Sequence, residues 1–190
     1  YARFRAVHER RGEPWGQWPA RMRDGDLRDA DGASAARQYH LYVQWLAREQ
    51  LTEVVSRARK QGVELYLDMP LGTHRDGYDA WRYRDVFALD ASGGAPPDPT
   101  FTQGQDWGFP PMHPQRSREQ GHAYMRAYVR RQLSQARMLR FDHVMGLHRL
   151  YWVPRGRPAS EGAYVRYPAE EFYALLSIES HRYRAAIIGE

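Results

Sequence analysis

The chain contains no cysteine, which excludes a disulfide framework and a thiolate zinc site and fits a reducing, cytoplasmic setting. Lysine is almost absent. Lys60 stands alone, and every other positive charge is an arginine. Those arginines are interleaved with Asp and Glu along the whole length. The net charge of +5 therefore reads as a solvated surface, not as a nucleic-acid footprint, and no nucleic-acid partner is expected. No apolar run approaches the ~20 residues of a membrane span, and no secretory signal is visible, so no membrane partner is expected either. Gly-x-Gly-x-x-Gly, the P-loop and Gly-x-Ser-x-Gly are all missing, which leaves nucleotide chemistry and the serine elbow unsupported. His143 and His148 lie five apart and His74 sits near Asp76, but neither arrangement matches His-Glu-x-x-His. Neither a metal nor a cofactor is expected, and no internal repeat appears at solenoid periods.

Against these absences stands a content of 13% aromatic residues in 190. That is enough for one domain with a real core, and it supplies flat faces for a ligand. The chain begins at Tyr1, without Met, and stops at a strand end, so both ends look cut.

The periodicity alternates. A short helix is expected over Ala2–Arg11, then irregular chain anchored by Trp15 and Trp18. Residues 34–61 read as a strong helix, with Ser34 as N-cap and Gly62 as its stop. The strand 63–68 follows at once. Residues 69–117, rich in Gly and Pro, read as an ordered functional loop in which only Ala80–Leu89 could be a short helix or turn. A helix over 118–137 leads to a strand at 138–142. Another helix, over 169–181 with Pro168 at its start, leads to a strand at 185–190, and a short strand fits Leu150–Val153. Helices alternating with short apolar runs predict parallel strands in an α/β fold, whose carboxyl ends form the binding rim.

Three of these strands end on an acid: Asp68, Asp142 and Glu190. Paired carboxylates at one rim are what glycosidic bond cleavage needs. Arg140 and Asp142 share a strand face by alternation, so the guanidinium favours an ionised Asp142, fit to attack an anomeric carbon. An ordinary Arg–Asp pair explains the same tetrapeptide. If the last two strands adjoin, Asp142 and Glu190 emerge side by side, near the ~5–5.5 Å separation of a retaining pair. Charge on Asp142 would then keep Glu190 protonated as general acid. His143 could donate to a sugar hydroxyl. Asp68 could fix Arg140, bind a hydroxyl, or simply serve a turn. In Gly104-Gln105-Asp106-Trp107-Gly108 the indole could stack on a pyranose, with Gln105 and Asp106 as hydroxyl partners, or anchor the loop.

Several segments, in order, resemble the amylomaltases, the 4-α-glucanotransferases of maltodextrin and glycogen metabolism. They are Gly94-Ala95-Pro96-Pro97-Asp98, Gly104-Gln105-Asp106-Trp107-Gly108-Phe109-Pro110, Leu139-Arg140-Phe141-Asp142-His143-Val144-Met145, Gly162-Ala163-Tyr164-Val165 and Ile187-Ile188-Gly189-Glu190. Gln44-Trp45-Leu46 and Glu49-Gln50-Leu51 fit as well, and the longer bacterial form is the nearer likeness. The resemblance implies a partial (β/α)8 TIM barrel of about three parallel strands with a long inserted loop. Residues 1–36 would lead into it and 37–190 would form it, with the loop at 69–117. It implies a retaining transfer reaction on a maltooligosaccharide or α-glucan. Asp142 matches the nucleophile and Glu190 the acid/base. Arg140 and His143 match donor-subsite residues, Asp68 a supporting acid, and Asp98 and Trp107 the substrate-covering loop. The family's third carboxylate falls on a later strand, and Phe109 stands where Asn or Leu is usual. The isolated segment is expected to be inactive. A hydrolase of α-amylase type and a non-catalytic carbohydrate-binding or basic module are the rival readings.

Overall fold

A computed structural model describes residues 1–190. Its elements are α1 (Ala2–Arg11), α2 (Ala20–Arg23), α3 (Ser34–Lys60), β1 (Tyr66–Met69), α4 (Tyr78–Arg82), β2 (Ala91–Ala95), β3 (Gln105–Asp106), α5 (Pro114–Glu119), α6 (Ala123–Leu133), β4 (Met138–Phe141), β5 (Arg149–Pro154), β6 (Ala163–Arg166), α7 (Ala169–Tyr183) and β7 (Ala186–Gly189).

Two sheets carry the architecture. β1, β4 and β7 form a parallel sheet in the order β1-β4-β7, with Asp68 opposite Arg140 and Arg140 opposite Ile188. Such pairing needs a crossover between strands, and the helical runs supply it. Alternation sorts the residues of the central strand. Leu139 and Phe141 point into the main core beside Val129, Leu133 and Phe172 of α6 and α7. Met138 and Arg140 take the opposite face, where Met138 is exposed. Each fully buried Leu or Phe in that core contributes about 1.5–3 kcal/mol.

The second sheet is antiparallel, in the order β3-β2-β5-β6, and sequence reasoning had found only one of its strands. The segment 69–117 is thus not loop throughout. It contains α4, β2, β3 and the start of α5. β2 is Ala-Ser-Gly-Gly-Ala, four of its five residues buried, with no alternation of large apolar groups to announce a strand. Its glycines are there for closeness: a Cβ on Gly94 would lie 2.1 Å from the Gln105 carbonyl oxygen on β3.

Helix boundaries bring two smaller corrections and one agreement. Ser34 is the first residue of α3, and the N-cap is Ala33, without a side-chain cap. At the other end Gly62 does stop the helix. With φ of +72° it donates to Arg59 O, and Val63 donates to Ala58 O, a Schellman closure. The helix expected at 118–137 is broken into α5 and α6, because Gly121 and His122 both adopt left-handed backbone (φ +58° and +52°). The His122 ring holds that corner. It bonds Ser117 Oγ at 2.9 Å through Nδ1 and Glu171 Oε2 at 2.9 Å through Nε2, tying the bend to α7. Ser117 is buried to 1% exposure, so this Ser–His–Glu chain is a structural clasp, closed to any substrate.

Phe4, Val7, Trp15 and Trp18 of the N-terminal residues join Trp81 of α4 in a separate, largely aromatic cluster. The buried indoles find partners as burial requires: Trp15 Nε1 donates to Arg75 O at 3.0 Å and Trp81 Nε1 to Met22 O at 2.9 Å. These two bonds fasten residues 1–33 to the segment after β1. No helix is long and apolar enough to cross a membrane.

Candidate active site

Three neighbouring strand ends bring Asp68, Asp142 and Glu190 to one guanidinium. Arg140 Nη1 donates to both oxygens of Asp68 at 2.8 Å, Nη2 to Asp142 Oδ1 at 2.9 Å, and Nε to Glu190 Oε2 at 2.5 Å. One arginine can do this because its five N–H donors spread in a fixed plane, and a lysine could not. The hydrogen bonds to Glu190 and then Asp68 raise the Arg140 pKa above the usual guanidinium value. One cation against three acids leaves the cluster formally two charges negative. Such a site favours positive charge developing on a bound molecule.

The backbone fixes the two central acids relative to each other. Glu190 N–H donates to Phe141 O at 3.1 Å, and Val144 N–H donates to Glu190 O at 2.6 Å. The chain around Asp142 therefore brackets Glu190. Gly189 makes the approach possible, since a Cβ there would lie 2.8 Å from Val144 Cγ2. Sequence reasoning gave Glu190 a carboxylate as its governing neighbour. The structure adds a cation: the group in direct contact with it is the Arg140 guanidinium.

His143 turns the chain away from β4 with φ of +50°, a conformation that His tolerates better than most residues. Burial pushes its imidazole pKa down from 6.5 against the opposing pull of Asp142, which keeps the ring neutral at pH 7. Trp107 meets this ring in a T-shaped pair, with centroids 5.2 Å apart at 79°. Gln105 Oε1 accepts from Trp107 Nε1 at 3.0 Å, so Gln105 serves the indole. Asp106 is spent locally as well, accepting from Gly108 N–H and from Ser92 Oγ.

Asp98 is placed differently from the others. It lies exposed on the 96–104 turn, and its Oδ1 accepts from Thr100 N–H at 2.7 Å and Phe101 N–H at 2.6 Å. No hydrogen bond or ion pair joins it to the Arg140 cluster. Of the candidates, then, Asp68, Arg140, Asp142 and Glu190 converge directly. His143, Trp107 and Gln105 form an adjoining wall.

Sequence reasoning missed Arg75. Its guanidinium donates to the Leu89 and Ala91 carbonyls, pinning the segment after Asp68 to the start of β2. Burial lowers its pKa, and nothing in the local sequence distinguishes it from the other arginines. A cavity of about 60 Å3, lined by Met69, Leu71, Phe109, Phe141 and Leu147 among others, lies behind this wall. None of the clustered acids lines it.

Fold and cluster together define an α/β protein whose adjoining parallel strands deliver carboxylates to a shared arginine at their carboxyl ends. A family model described as 4-alpha-glucanotransferase matches residues 1–190, and the chain belongs to that family. It is 37% identical over 196 residues to the 4-alpha-glucanotransferase of Mycobacterium tuberculosis (strain ATCC 25618 / H37Rv), covering 100% of this chain and 27% of the relative. It is 40% identical over 155 residues to the Haemophilus influenzae 4-alpha-glucanotransferase, covering 80% of this chain and 22% of the relative. The amylomaltase of Corynebacterium glutamicum superposes with a TM-score of 0.84 at 34% identity, over 100% of this chain and 26% of that one. The amylomaltase of Streptococcus agalactiae, solved in complex with acarbose, does so with a TM-score of 0.88 at 22% identity, over 100% of this chain and 40% of that one, a likeness of fold. The chain thus spans about a quarter of the length of these curated relatives, and its three parallel strands are a sector of a (β/α)8 barrel.

Proposed function

We propose that the full-length protein is a 4-α-glucanotransferase that moves α-1,4-glucan segments between maltodextrins with retention at the anomeric carbon, and that it works in the cytoplasm. The observation that supports this reading is the Arg140 hub, which holds Asp142 and Glu190, from adjoining strand ends, on one guanidinium.

Asp142 attacks C1 of the donor, and the bond from C1 to the leaving oxygen breaks. A protonated Glu190 gives its proton to that oxygen, so the released chain departs as a neutral alcohol. A protonated Glu190 can still accept from Arg140 Nε through its carbonyl oxygen while its O–H faces the substrate. The glycosyl ester on Asp142 is then attacked by the 4-hydroxyl of an acceptor sugar. Glu190 takes the acceptor's proton, the new C1–O bond forms, and the Asp142 carboxylate is restored. Arg140 orients both acids, with Asp68 as its third anchor, and the negative cluster stabilises the oxocarbenium-like transition state. Neutral His143 donates to a sugar hydroxyl, and Trp107 offers its face to a pyranose. Asp98 supports the loop turn. Water exclusion by this wall would favour the acceptor over hydrolysis.

Incubating the full-length protein with maltotriose tests the proposal. Glucose together with oligomers longer than the substrate is the expected product pattern. Conversion to short sugars with no elongation would make the protein a hydrolase.

A further inference from the structure

The segment bearing Trp107 is more tightly held than a covering loop needs to be. Trp107 N–H donates to Gly93 O at 2.9 Å, and Gly93 N–H donates to Phe109 O at 2.9 Å, so the two aromatic residues flank one residue of β2 and clasp it. The Phe109 ring then enters a slot made by two glycines. A Cβ on Gly72 would lie 2.2 Å from Phe109 Cγ, and a Cβ on Gly93 would lie 2.3 Å from Phe109 Cζ. The ring occupies the space that two side chains would otherwise fill. Gly72 belongs to the segment that follows Asp68, while Gly93 lies in the antiparallel sheet. One phenyl ring therefore fills the gap between β2 and the segment that follows β1. Phe109 also stacks with Trp107, centroids 6.1 Å apart at 20°, and Trp107 in turn abuts His143, the neighbour of Asp142. A continuous packed path runs from the glycine slot to the carboxylates.

We propose that Phe109 is a positioning residue, which fixes the Trp107 indole beside the carboxylate cluster so that the sugar-stacking face is preorganised before substrate arrives. The inference rests on the reading of this site as a glucan site and specifies how its aromatic wall is set. A platform held in place loses less entropy on binding than one assembled by closure, and the gain appears as affinity. Phe109 never touches the reacting atoms. Its effect passes through Trp107. The shape of the slot sets the chemistry of position 109. Because Cζ faces Gly93, even a para hydroxyl has nowhere to go, and a branched aliphatic chain fills the slot without offering the indole a flat partner.

The test uses the full-length protein and maltotriose, with the dissociation constant from calorimetry, KM, kcat and Tm as readouts. Phe109→Ala weakens maltotriose binding and raises KM about tenfold, the upper end of a lost aromatic contact, while kcat changes much less. Phe109→Leu falls between Ala and the parent. Gly93→Ala alone lowers Tm, because the new methyl meets the ring. In the Phe109→Ala background the same methyl enters vacated space, so the two losses do not sum. Maltotriose affinity unmoved by Phe109→Ala would overturn the inference, and so would additive Tm losses in the Gly93/Phe109 cycle. The outcome separates from that of the proposed function. A parent protein that binds maltotriose but only hydrolyses it removes the transferase reading, and the binding ratio still decides Phe109. A parent that does not bind maltotriose at all overturns both.

Discussion

The two sheets solve opposite problems. The parallel sheet presents charge. Its strands are short, its central strand alone is well buried, and its far face carries Arg140 and the acids outward. The antiparallel sheet presents shape. It is built on a strand of small residues, pinned by Arg75 and wedged by Phe109, and it delivers an aromatic wall to the edge of the charged cluster. Changes in the first should act on turnover, because the groups meet the reacting atoms. Changes in the second should act on affinity and stability.

Asp142→Asn in the full-length protein is the largest test. Removing the attacking oxygen while keeping the shape should lower kcat by at least about 10³-fold with Tm nearly unchanged. A variant that keeps parent-like transfer would break the division between the sheets at its strongest point. Arg140→Lys comes next. The charge remains but the fork is lost, so at most part of the three-carboxylate contact survives. We expect a fall of about 10²-fold in kcat, the scale of a catalytic group misplaced by an ångström, and equal kinetics for Lys and Arg would show that only the charge matters.

In the antiparallel sheet, Gly94→Ala should cost about 1–3 kcal/mol of stability by driving β2 from β3, seen as a lowered Tm. Gly146→Ala is its control. There a Cβ meets nothing closer than 3.5 Å, and the melting curve should barely move. A reversal of that order would mean the close approach of β2 and β3 is not what holds the wall.

The smallest effect is in pH dependence. Burial holds the His143 pKa below 6.5, so the unfolded chain takes up this proton more readily than the folded one. Stability contributed by the neutral ring is therefore present above 6.5 and is lost as pH falls below it. His143→Asn keeps the left-handed turn and removes the titration, so the stability curve of the variant should be flatter than the parent's below pH 6.5. Identical curves would show that the ring is not shielded by Trp107.

The legibility of the two sheets in the sequence divides along the same line. Val63 to Asp68, Met138 to Asp142 and Ala185 to Glu190 each follow a helical run, and local pattern is enough to mark a parallel strand and its acid. The Arg140–Asp142 pairing followed from alternation alone. β2 and β3 gave no such signal. Gly93 and Gly94 read as part of the long loop 69–117, because their role is to let distant backbone approach, and that depends on Gln105 and Phe109 far along the chain. Arg75 was hidden for the same reason: its partners are carbonyls, which every residue has. The split between α5 and α6 was also out of reach, since His122 takes its left-handed backbone where Ser117 and Glu171 can hold its ring. Phe109 was visible as a departure from the family pattern, but its slot was not.

The most direct measurement bears on the pairing of Asp142 with Glu190. With Glu190→Gln in the full-length protein and maltotriosyl fluoride as donor, the leaving group needs no proton, so the first displacement proceeds while the second stalls. Peptide mass spectrometry should then find a maltotriosyl ester on Asp142 that persists when maltose is added, because no base is left to take the acceptor's proton. Consumption of the fluoride with Asp142 unmodified, or an ester on Asp68 instead, would contradict the account.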